Sequence, residues 1–345
     1  MRMAVTIKEL SAACGLSVST VSKALNNYPD VSEETRRQVR ETAQRLGYRP
    51  SAIARGLKMG RTFNLGVLYT DDSQSGFTHN YFAPVLEAFK SEAESRGYDI
   101  TFIMHKTGEG RMTYLEHCLY RNVDGVGIVN CHFDGPEERE LIGSALPVVL
   151  VDHEAENRCC VKSCNEAGMA ELTRYLLSMG HKKIAFISGE DIEVTAVRRR
   201  AFLDTMAQSG VGVPLAYMVY SRFHDPSAVR EATRRLLALD PPPTCIIMPD
   251  DYAALGGMEA IREAGLRIPE DISVAGFDGV PLLQLCSPKL TTVRQDTDSI
   301  GRQAARRLIE LIEAPQNPNT DTIPVPCSLI RGETVADLRI KEQMD

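Results

Sequence analysis

The sequence has no apolar run long enough to cross a membrane, and its first twenty residues lack the apolar core of a signal peptide. A cytoplasmic location and no membrane partner are expected. The nine cysteines are odd in number and contain no Cys-x-x-Cys pair, which argues against a disulfide framework and against a zinc ribbon. Because no histidine stands at ligand spacing from Cys159, Cys160 and Cys164, we expect reduced thiols and no metal.

Motifs of the common enzyme classes are missing as well. The chain contains no P-loop, no G-x-G-x-x-G, no H-E-x-x-H and no G-x-S-x-G. The neighbouring carboxylates Asp250 and Asp251 suit acid–base chemistry, but no nucleophile or cofactor motif accompanies them. We therefore expect neither an enzyme nor a cofactor, and turnover of a bound sugar would revive the enzyme alternative.

Charge is distributed unevenly along the 345 residues, whose net charge is -7. Residues 1–60 hold ten Lys or Arg and five Asp or Glu, a net charge of +5, which leaves -12 for the other 285 residues. A basic head on an acidic body indicates a polyanionic partner for the head alone.

Residues 6–27 carry the pattern of two short helices joined by a turn. Ser17 is a good N-cap for the second helix, and Cys14-Gly15 supplies the turn. Two helices joined in this way form a helix-turn-helix, whose second helix reads the major groove of DNA. An ordinary helical hairpin is the alternative.

A third helix is expected to begin after Ser32 and to end at Gly47. Its arginines Arg36, Arg37 and Arg40 suit phosphate contacts, and a merely solvated basic face is the alternative. Residues 51–58 form a weak helix of about two turns, which is marginal in isolation. We expect that segment to be ordered only against DNA or a partner copy.

From residue 63 onward, strand and helix patterns alternate in two consecutive sets, which predicts parallel sheets covered by helices on both faces. The expected strands are 63–69, 99–104, 124–129, 148–152, 183–188, 218–221, 244–248 and 273–277. The expected helices are 81–96, 112–121, 136–144, 166–179, 194–209, 226–239, 251–264 and 280–284. Two Rossmann-like lobes enclosing one ligand cleft follow from this pattern.

Motifs spread along the whole chain resemble the lactose/galactose-repressor (LacI/GalR) family of bacterial transcription factors. They are TIKELSAACGLSVSTVSKALNN, VSEETRRQV, LGYRPSAIARGLKMGRT, GHKKIAFISG, PDDYAALGGMEAI, GLRIPEDISVAGFDG and LTTVRQDTDSIG. The resemblance implies an α/β fold with a DNA-binding head, a hinge helix and two lobes of the periplasmic-binding-protein type.

The resemblance also implies which residues of the head touch DNA. Val18, Ser19 and Lys23 are expected to face base edges. Phosphate contacts are expected from Ser17, Thr20, Ser22 and Asn26. In the hinge helix, Leu57 matches a wedge that opens the central base step in the minor groove, and Ala54 matches the small residue between paired hinge helices.

Between the lobes, the family's effector-binding positions correspond to Arg198, Asp250 and Asp278, with Asn130 and Asp152 as further candidates from the first lobe. Tyr81 and Phe82 are aromatic candidates for the same cleft. Arg198 offers a fixed fork of donors and the carboxylates offer acceptors, while the aromatic rings suit the C–H face of a sugar. Asp250 is alternatively a helix cap, and each aromatic residue is alternatively part of the core.

The expected domains are 1–50 for the DNA-binding head, 51–62 for the hinge and linker, and 63–345 for effector binding and dimerisation. Lobe 1 is expected over about 63–161 and 293–323, and lobe 2 over about 162–290 and 324–340. The short charged tail lacks a heptad run, so a homodimer on a pseudo-palindromic operator is expected.

The predicted function is repression of carbohydrate-utilisation genes, relieved by a sugar or sugar derivative. A corepressor-dependent regulator of the same family, for example of the purine type, is the alternative. A sugar-transport binding protein is not expected, because it would need an export signal and no DNA-binding head.

Overall fold

The computed structural model describes residues 5–49, 60–71, 75–107, 110–316 and 320–341. Two compact units make up the chain, one over residues 1–63 and the other over residues 64–345. The first unit is called the head and the second the body.

Three helices form the head: α1 Ile7–Cys14, α2 Val18–Leu25 and α3 Glu33–Leu46. Each begins at a hydroxyl cap. The side chains of Thr6, Ser17 and Ser32 each accept the backbone N–H of the residue three positions further along the chain. Helices α1 and α3 end at Gly15 and Gly47, where the positive φ angles of 65° and 68° favour glycine. These caps explain why the sequence gives three separate helices.

The apolar positions of the three helices converge on one small core. Leu10, Val21, Ala24 and Val39 are fully buried there, one or two from each helix. Helix α2 therefore turns only part of its surface inward and leaves its N-terminal end exposed.

The first lobe of the body is built on a six-stranded sheet. Its strands are β1 Asn64–Tyr69, β2 Asp99–Ile103, β5 Gly125–Asn130, β6 Val148–Val151, β7 Cys159–Ser163 and β13 Ile323–Val325. They run in the order β13-β7-β6-β5-β1-β2, and every neighbouring pair is parallel. A separate small hairpin joins β3 Lys106–Thr107 and β4 Gly110–Arg111.

The second lobe is built on another six-stranded sheet. Its strands are β8 Ile184–Ser188, β9 Met218–Tyr220, β10 Cys245–Ile247, β11 Ser273–Asp278, β12 Thr291–Arg294 and β14 Ser328–Ile330. The order is β14-β12-β11-β10-β8-β9, with parallel pairing throughout except that β12 and β14 are antiparallel.

Helices cover both sheets. The first lobe carries α4 Phe82–Ser95, α5 Tyr114–Arg121, α6 Pro136–Gly143 and α11 Thr297–Glu313. The second lobe carries α7 Asn165–Ser178, α8 Glu193–Gln208, α9 Pro226–Leu237 and α10 Asp251–Glu263, and α12 Leu338–Lys341 follows near the end. No helix in the described part of the chain is long and apolar enough to cross a membrane.

Helix α11 returns to the first lobe and packs closely on α4. A Cβ atom added to Gly301 would lie 2.2 Å from the carbonyl oxygen of Val85, so the two helix backbones meet where only glycine fits. Beyond β13, the chain crosses back to β14 in the second sheet.

Strand pairing corrects the expected lobe boundaries by a few residues. The whole of β7, up to Ser163, pairs within the first sheet, so the boundary expected at 161 and 162 falls inside a strand. Strand β12 stays in the second sheet up to Arg294, and β13 stays in the first up to Val325. The expected helix over 280–284 is a short 3-10 helix, Pro281–Gln284, which begins at Pro281.

Candidate functional site

The exposed end of α2 is the candidate DNA-reading surface. Val18 is 41% exposed and Ser19 is exposed, while Thr20 and Ser22 are half-buried. The hydroxyl group of Ser17 lies 2.8 Å from that of Thr20 and accepts the backbone N–H of Thr20 at 3.0 Å. The predicted base-facing and phosphate-facing residues thus share one helix and its cap.

Two polar side chains near the end of α2 already have partners within the head. Lys23 forms an exposed ion pair of 2.5 Å with Asp30, and the amide nitrogen of Asn26 donates to the carbonyl oxygen of Ser22 at 2.7 Å. To contact a base, Lys23 must therefore break its ion pair with Asp30. The hinge residues predicted at Ala54 and Leu57 lie outside the described residues.

The arginines of α3 do not form one uniform basic face. Arg36 bonds Glu33 and the backbone carbonyl of Tyr28 and is largely covered, and Arg40 bonds Asn27. The side chain of Arg37 is 73% exposed, and its contact with Glu41 at 4.0 Å is long. Arg37 is therefore much more accessible than Arg36.

In the body, a cavity of about 270 Å³ lies between the two lobes. It is lined by loops that follow the carboxyl ends of strands in both sheets, where ligands of open α/β sheets bind. All seven residues that the sequence assigns to effector binding line this cavity: Tyr81, Phe82, Asn130, Asp152, Arg198, Asp250 and Asp278. The fold therefore brings together residues that are up to 197 positions apart.

Arg198, on α8, is 6% exposed and is held by three contacts. Its guanidinium carbon lies 3.6 Å from the ring centre of Phe277, a cation–π arrangement. Its Nε donates to Asn165 at 2.8 Å, and its Nη1 donates to the carbonyl oxygen of Pro249 at 3.4 Å. Within the described residues it makes no ion pair, so its charge is available to a ligand.

Asp152 directly follows β6, with a positive φ of 54° that is uncommon outside glycine and asparagine. Its carboxylate accepts the phenolic hydroxyl of Tyr81 and, at 2.9 Å, the backbone N–H of Ser163. Burial raises the pKa of Asp152, and these two hydrogen bonds oppose the shift. Nearby, the amide of Asn130 donates to the carbonyl oxygen of Thr70 at 2.7 Å.

Asp250 combines the two roles that the sequence left open. One carboxylate oxygen caps α10 by accepting the N–H of Ala253 at 2.7 Å, and the other accepts the N–H of His224 at 2.8 Å. The same side chain lines the cavity and is 3% exposed. Asp251, in contrast, is fully buried behind the cavity, bonded to Thr292 and to the N–H of Val280.

Asp278 ends β11 and has a φ of 110°. One of its oxygens accepts the amide N–H of Gln295 at 2.7 Å. Burial raises the pKa of Asp278 to about 7, since the favourable charge of Arg198 is offset by the negative charges of Asp250 and Asp152. The carboxyl is therefore poised to change its protonation near neutral pH when a ligand arrives.

The lining residues that were not anticipated from the sequence include His79, His224 and Gln295. The rings of His79 and His224 stack at 4.1 Å with an interplanar angle of 17°, and Tyr252 stacks on His224 at the same distance. Gln295 follows β12 directly. Their positions in the sequence could have identified them, because each of the three lies in a loop that follows a strand.

A second cavity of about 470 Å³ adjoins the first and shares Asp152, Glu193 and Val194 with it. Its wall includes the N-terminal turn of α7, which begins at Cys164 without a side-chain cap. Among the described residues, no group of three or more His, Cys, Asp or Glu is arranged to hold a metal ion.

Comparisons with known proteins agree with both parts of the structure. Residues 6–51 match the family model described as bacterial regulatory proteins, lacI family, and residues 173–335 match the periplasmic binding protein-like domain. The HTH-type transcriptional repressor PurR of Mannheimia succiniciproducens is 31% identical over 337 residues, covering 96% of this chain and 98% of the relative. The probable repressor ExuR of Bacillus subtilis is 29% identical over 316 residues, covering 90% and 93%.

Among solved structures, the lac repressor dimer bound to operator and the anti-inducer ONPF matches with a TM-score of 0.81 and 24% identity, covering 97% of this chain and all of the other. The helix-turn-helix head and the two-lobed body thus define a DNA-binding regulator with a small-molecule cleft. The chain belongs to the LacI family of bacterial regulatory proteins and is a transcriptional repressor of that family. Repressors of this family bind operator DNA and small-molecule effectors.

Proposed function

We propose that this repressor controls carbohydrate-utilisation genes and is released from its operator by a sugar or sugar derivative bound between the lobes. The observation that carries the proposal is the placement of Arg198, Asp152 and Asp278 around one cavity. A guanidinium fork and carboxylates from both lobes suit the adjacent hydroxyl groups of a sugar ring.

The walls of the cavity support the same ligand class. Phe82, Phe133 and Phe223 line it alongside the polar groups, and aromatic rings suit the C–H face of a sugar. Its volume of about 270 Å³ lies just below the usual range of about 300–1,000 Å³ for ligand sites, which fits a compact ligand.

For DNA binding, we propose that Val18, Ser19 and Lys23 face base edges while Ser17, Thr20, Ser22 and Asn26 contact phosphates. The exposure of Val18 and Ser19 on α2 supports this assignment. Two copies of the head, joined as a homodimer, would read a pseudo-palindromic site. The hinge residues Ala54 and Leu57 complete the proposal in the minor groove.

Release requires the effector to favour one arrangement of the lobes over another. Because Asp152 belongs to the first lobe and Arg198 and Asp278 belong to the second, a ligand that bonds all three stabilises the closed arrangement. The binding energy then favours a state with lower affinity for the operator, and operator binding must weaken effector binding by the same factor.

A purine-type corepressor, which would tighten operator binding, is the second candidate. The similarity to repressors named PurR favours it. The stacked rings of His224 and Tyr252 beside the cavity also suit a planar base. The two candidates differ in the sign of the effect on DNA binding.

The test begins with the full chain selecting its own site from a randomised DNA pool. Operator affinity is then measured by fluorescence anisotropy while neutral hexoses, pentoses, hexosamines, hexuronates, hypoxanthine, guanine and adenine are added one at a time. The proposal expects at least one sugar or sugar derivative to weaken operator binding. Tighter binding with a purine, and no effect of any sugar, would overturn it in favour of the corepressor.

A further inference from the structure

The cavity between the lobes holds more negative than positive charge. Carboxylates lining it are Asp71, Asp152, Glu190, Glu193, Asp250 and Asp278, whereas Arg198 is the one Arg or Lys among the described lining residues. Asp152, Asp250 and Asp278 form no ion pair within the described part of the chain. Burial raises the pKa of all three carboxyl groups and the charge of Arg198 opposes that shift, so a further positive charge in the cavity would favour their ionised forms.

The histidines of the stack do not supply the missing positive charge. Burial lowers the pKa of His79 to about 4, and it also lowers the pKa of His224. Both rings are accordingly neutral at neutral pH. The stack therefore adds no positive charge to the cavity at neutral pH.

Gln295 gives independent information about the ligand. The side chain is 4% exposed and lines the cavity, and its Nε2 donates to Asp278 at 2.7 Å. Its Oε1 is buried and has no hydrogen-bond partner among the described residues. Burying an acceptor without a donor is energetically unfavourable, so we expect the ligand to donate a hydrogen bond to this oxygen.

Carboxylate oxygens and an amide oxygen are all acceptors, and a protonated amine is the ligand group that matches them. An ammonium group offers three donors and no acceptor, and it brings the positive charge that the cavity lacks. A hydroxyl donates one hydrogen bond and supplies no charge. A carboxylate or phosphate on the ligand would face repulsion from Asp250 and Asp278.

We propose that the effector is an amine-bearing sugar derivative whose protonated amine donates hydrogen bonds to the Asp278 carboxylate and to Oε1 of Gln295. This inference rests on the proposed function, in which the cleft binds a sugar derivative. It narrows that class from sugars in general to cationic amino sugars, and it excludes uronates and sugar phosphates.

The test uses the full chain and matched ligands that differ at a single position. Isothermal calorimetry compares D-galactosamine with D-galactose and D-galacturonate, and D-glucosamine with D-glucose and D-glucuronate. In at least one series, the hexosamine is expected to bind about tenfold more tightly than its parent hexose, since charge-assisted hydrogen bonds are stronger than neutral ones. Tighter binding of a hexose or hexuronate, or no binding of either hexosamine, would overturn the inference.

A substitution at the site separates charge recognition from general binding. Asp278→Asn retains an oxygen for the Gln295 hydrogen bond and removes the charge, so the preference for the hexosamine over the hexose should disappear. Asp298→Asn is the matched control, because Asp298 pairs with Arg302 on an exposed face of α11 and does not line the cavity. An unchanged preference in Asp278→Asn would contradict the assignment.

The measurement of operator affinity described above keeps this inference distinct from the proposed function. Release of the operator by a neutral sugar or a uronate would overturn the amine and leave the sugar-controlled repressor in place. Operator binding tightened by a purine would overturn the proposed function itself.

Discussion

The imidazole rings of His79 and His224 stack at 4.1 Å across the gap between the two lobes. His79 lies in the loop after β1, and His224 lies between β9 and α9. The Nδ1 atom of His79 also accepts the backbone N–H of Tyr81 at 3.2 Å, ahead of α4. The neutral form of His79 is therefore the form that both contacts require.

Replacing His79 with phenylalanine should weaken the dependence of stability on pH. Burial, together with the charge of His224, lowers the pKa of His79 to about 4, below the value of about 6.5 expected when unfolded. Because the unfolded chain binds the proton more tightly, acidification from pH 7 towards pH 4.5 costs the wild type up to about 3 kcal/mol at this residue. The variant keeps a planar ring but loses both the titration and the hydrogen bond from the N–H of Tyr81.

Urea unfolding of both proteins at pH 7 and pH 4.5 measures this effect. The quantity compared is the change in unfolding free energy between the two pH values, since the variant also loses the bond to Tyr81 at every pH. Equal changes in the two proteins would show that His79 does not titrate in this way.

The head contains two equivalent helix caps, Ser17 and Ser32, and only Ser17 is proposed to contact DNA. Comparing substitutions at the two positions therefore separates an effect on stability from an effect on DNA contact. The hydroxyl group of Ser17 accepts the backbone N–H of Thr20 and lies 2.8 Å from the hydroxyl group of Thr20. The hydroxyl group of Ser32 makes the same two contacts with Thr35, again with 2.8 Å between the hydroxyl groups. Ser17→Ala and Ser32→Ala should each destabilise the head by about 1 kcal/mol. Only Ser17→Ala should also lose a phosphate contact, weakening operator binding by about a further fivefold.

Amide hydrogen exchange in the full chain reports the opening of each head helix, and anisotropy reports operator affinity. If the two variants lose operator affinity equally, Ser17 contributes only as a cap. That result would remove it from the DNA-contacting set.

Lys23 and Arg37 provide a comparison between base reading and general charge. Lys23→Met should cost about 1–3 kcal/mol on the preferred operator and change which sequences are selected from a random pool. Arg37→Met removes the same charge from a side chain that is 73% exposed, and it should change affinity evenly across sequences. Identical selected sequences for Lys23→Met and the wild type would rule out a base contact.

Much of the fold follows from local signals in the sequence. Hydroxyl caps at Ser17 and Ser32 and the glycine at Gly47 mark the helices of the head where the structure has them. Continuous apolar strands alternating with helical patterns give the two parallel sheets. These signals are local, and they agree with the final packing.

The parts that sequence reasoning missed depend on distant segments. Strand β7 contains two cysteines and Lys162, so it has little apolar pattern of its own. It forms because β6 lies on one side and β13, which is more than 150 residues later, lies on the other. The positions where the chain crosses between lobes depend on the same long-range pairing.

Asp278 was foreseeable because it follows a predicted strand and lies in the motif GLRIPEDISVAGFDG, and Asp152 because it ends a predicted strand. Gln295 lies in the motif LTTVRQDTDSIG but was not singled out, because an amide after a strand has no distinctive pattern. His79 and His224 lie in loops without periodicity, and their roles depend on their neighbours. The ring stack needs two loops from different lobes to meet, which the sequence does not encode locally.

The central claim is that the cleft around Arg198 controls operator binding. The most direct measurement is the ratio of operator affinities without and with the effector, compared between the wild type and Arg198→Lys. Lysine cannot reproduce the fork that holds Asn165 while offering donors to a ligand, so the ratio should fall towards one at effector concentrations that release the wild type. A ratio equal to that of the wild type would place effector control outside this cleft and contradict the account.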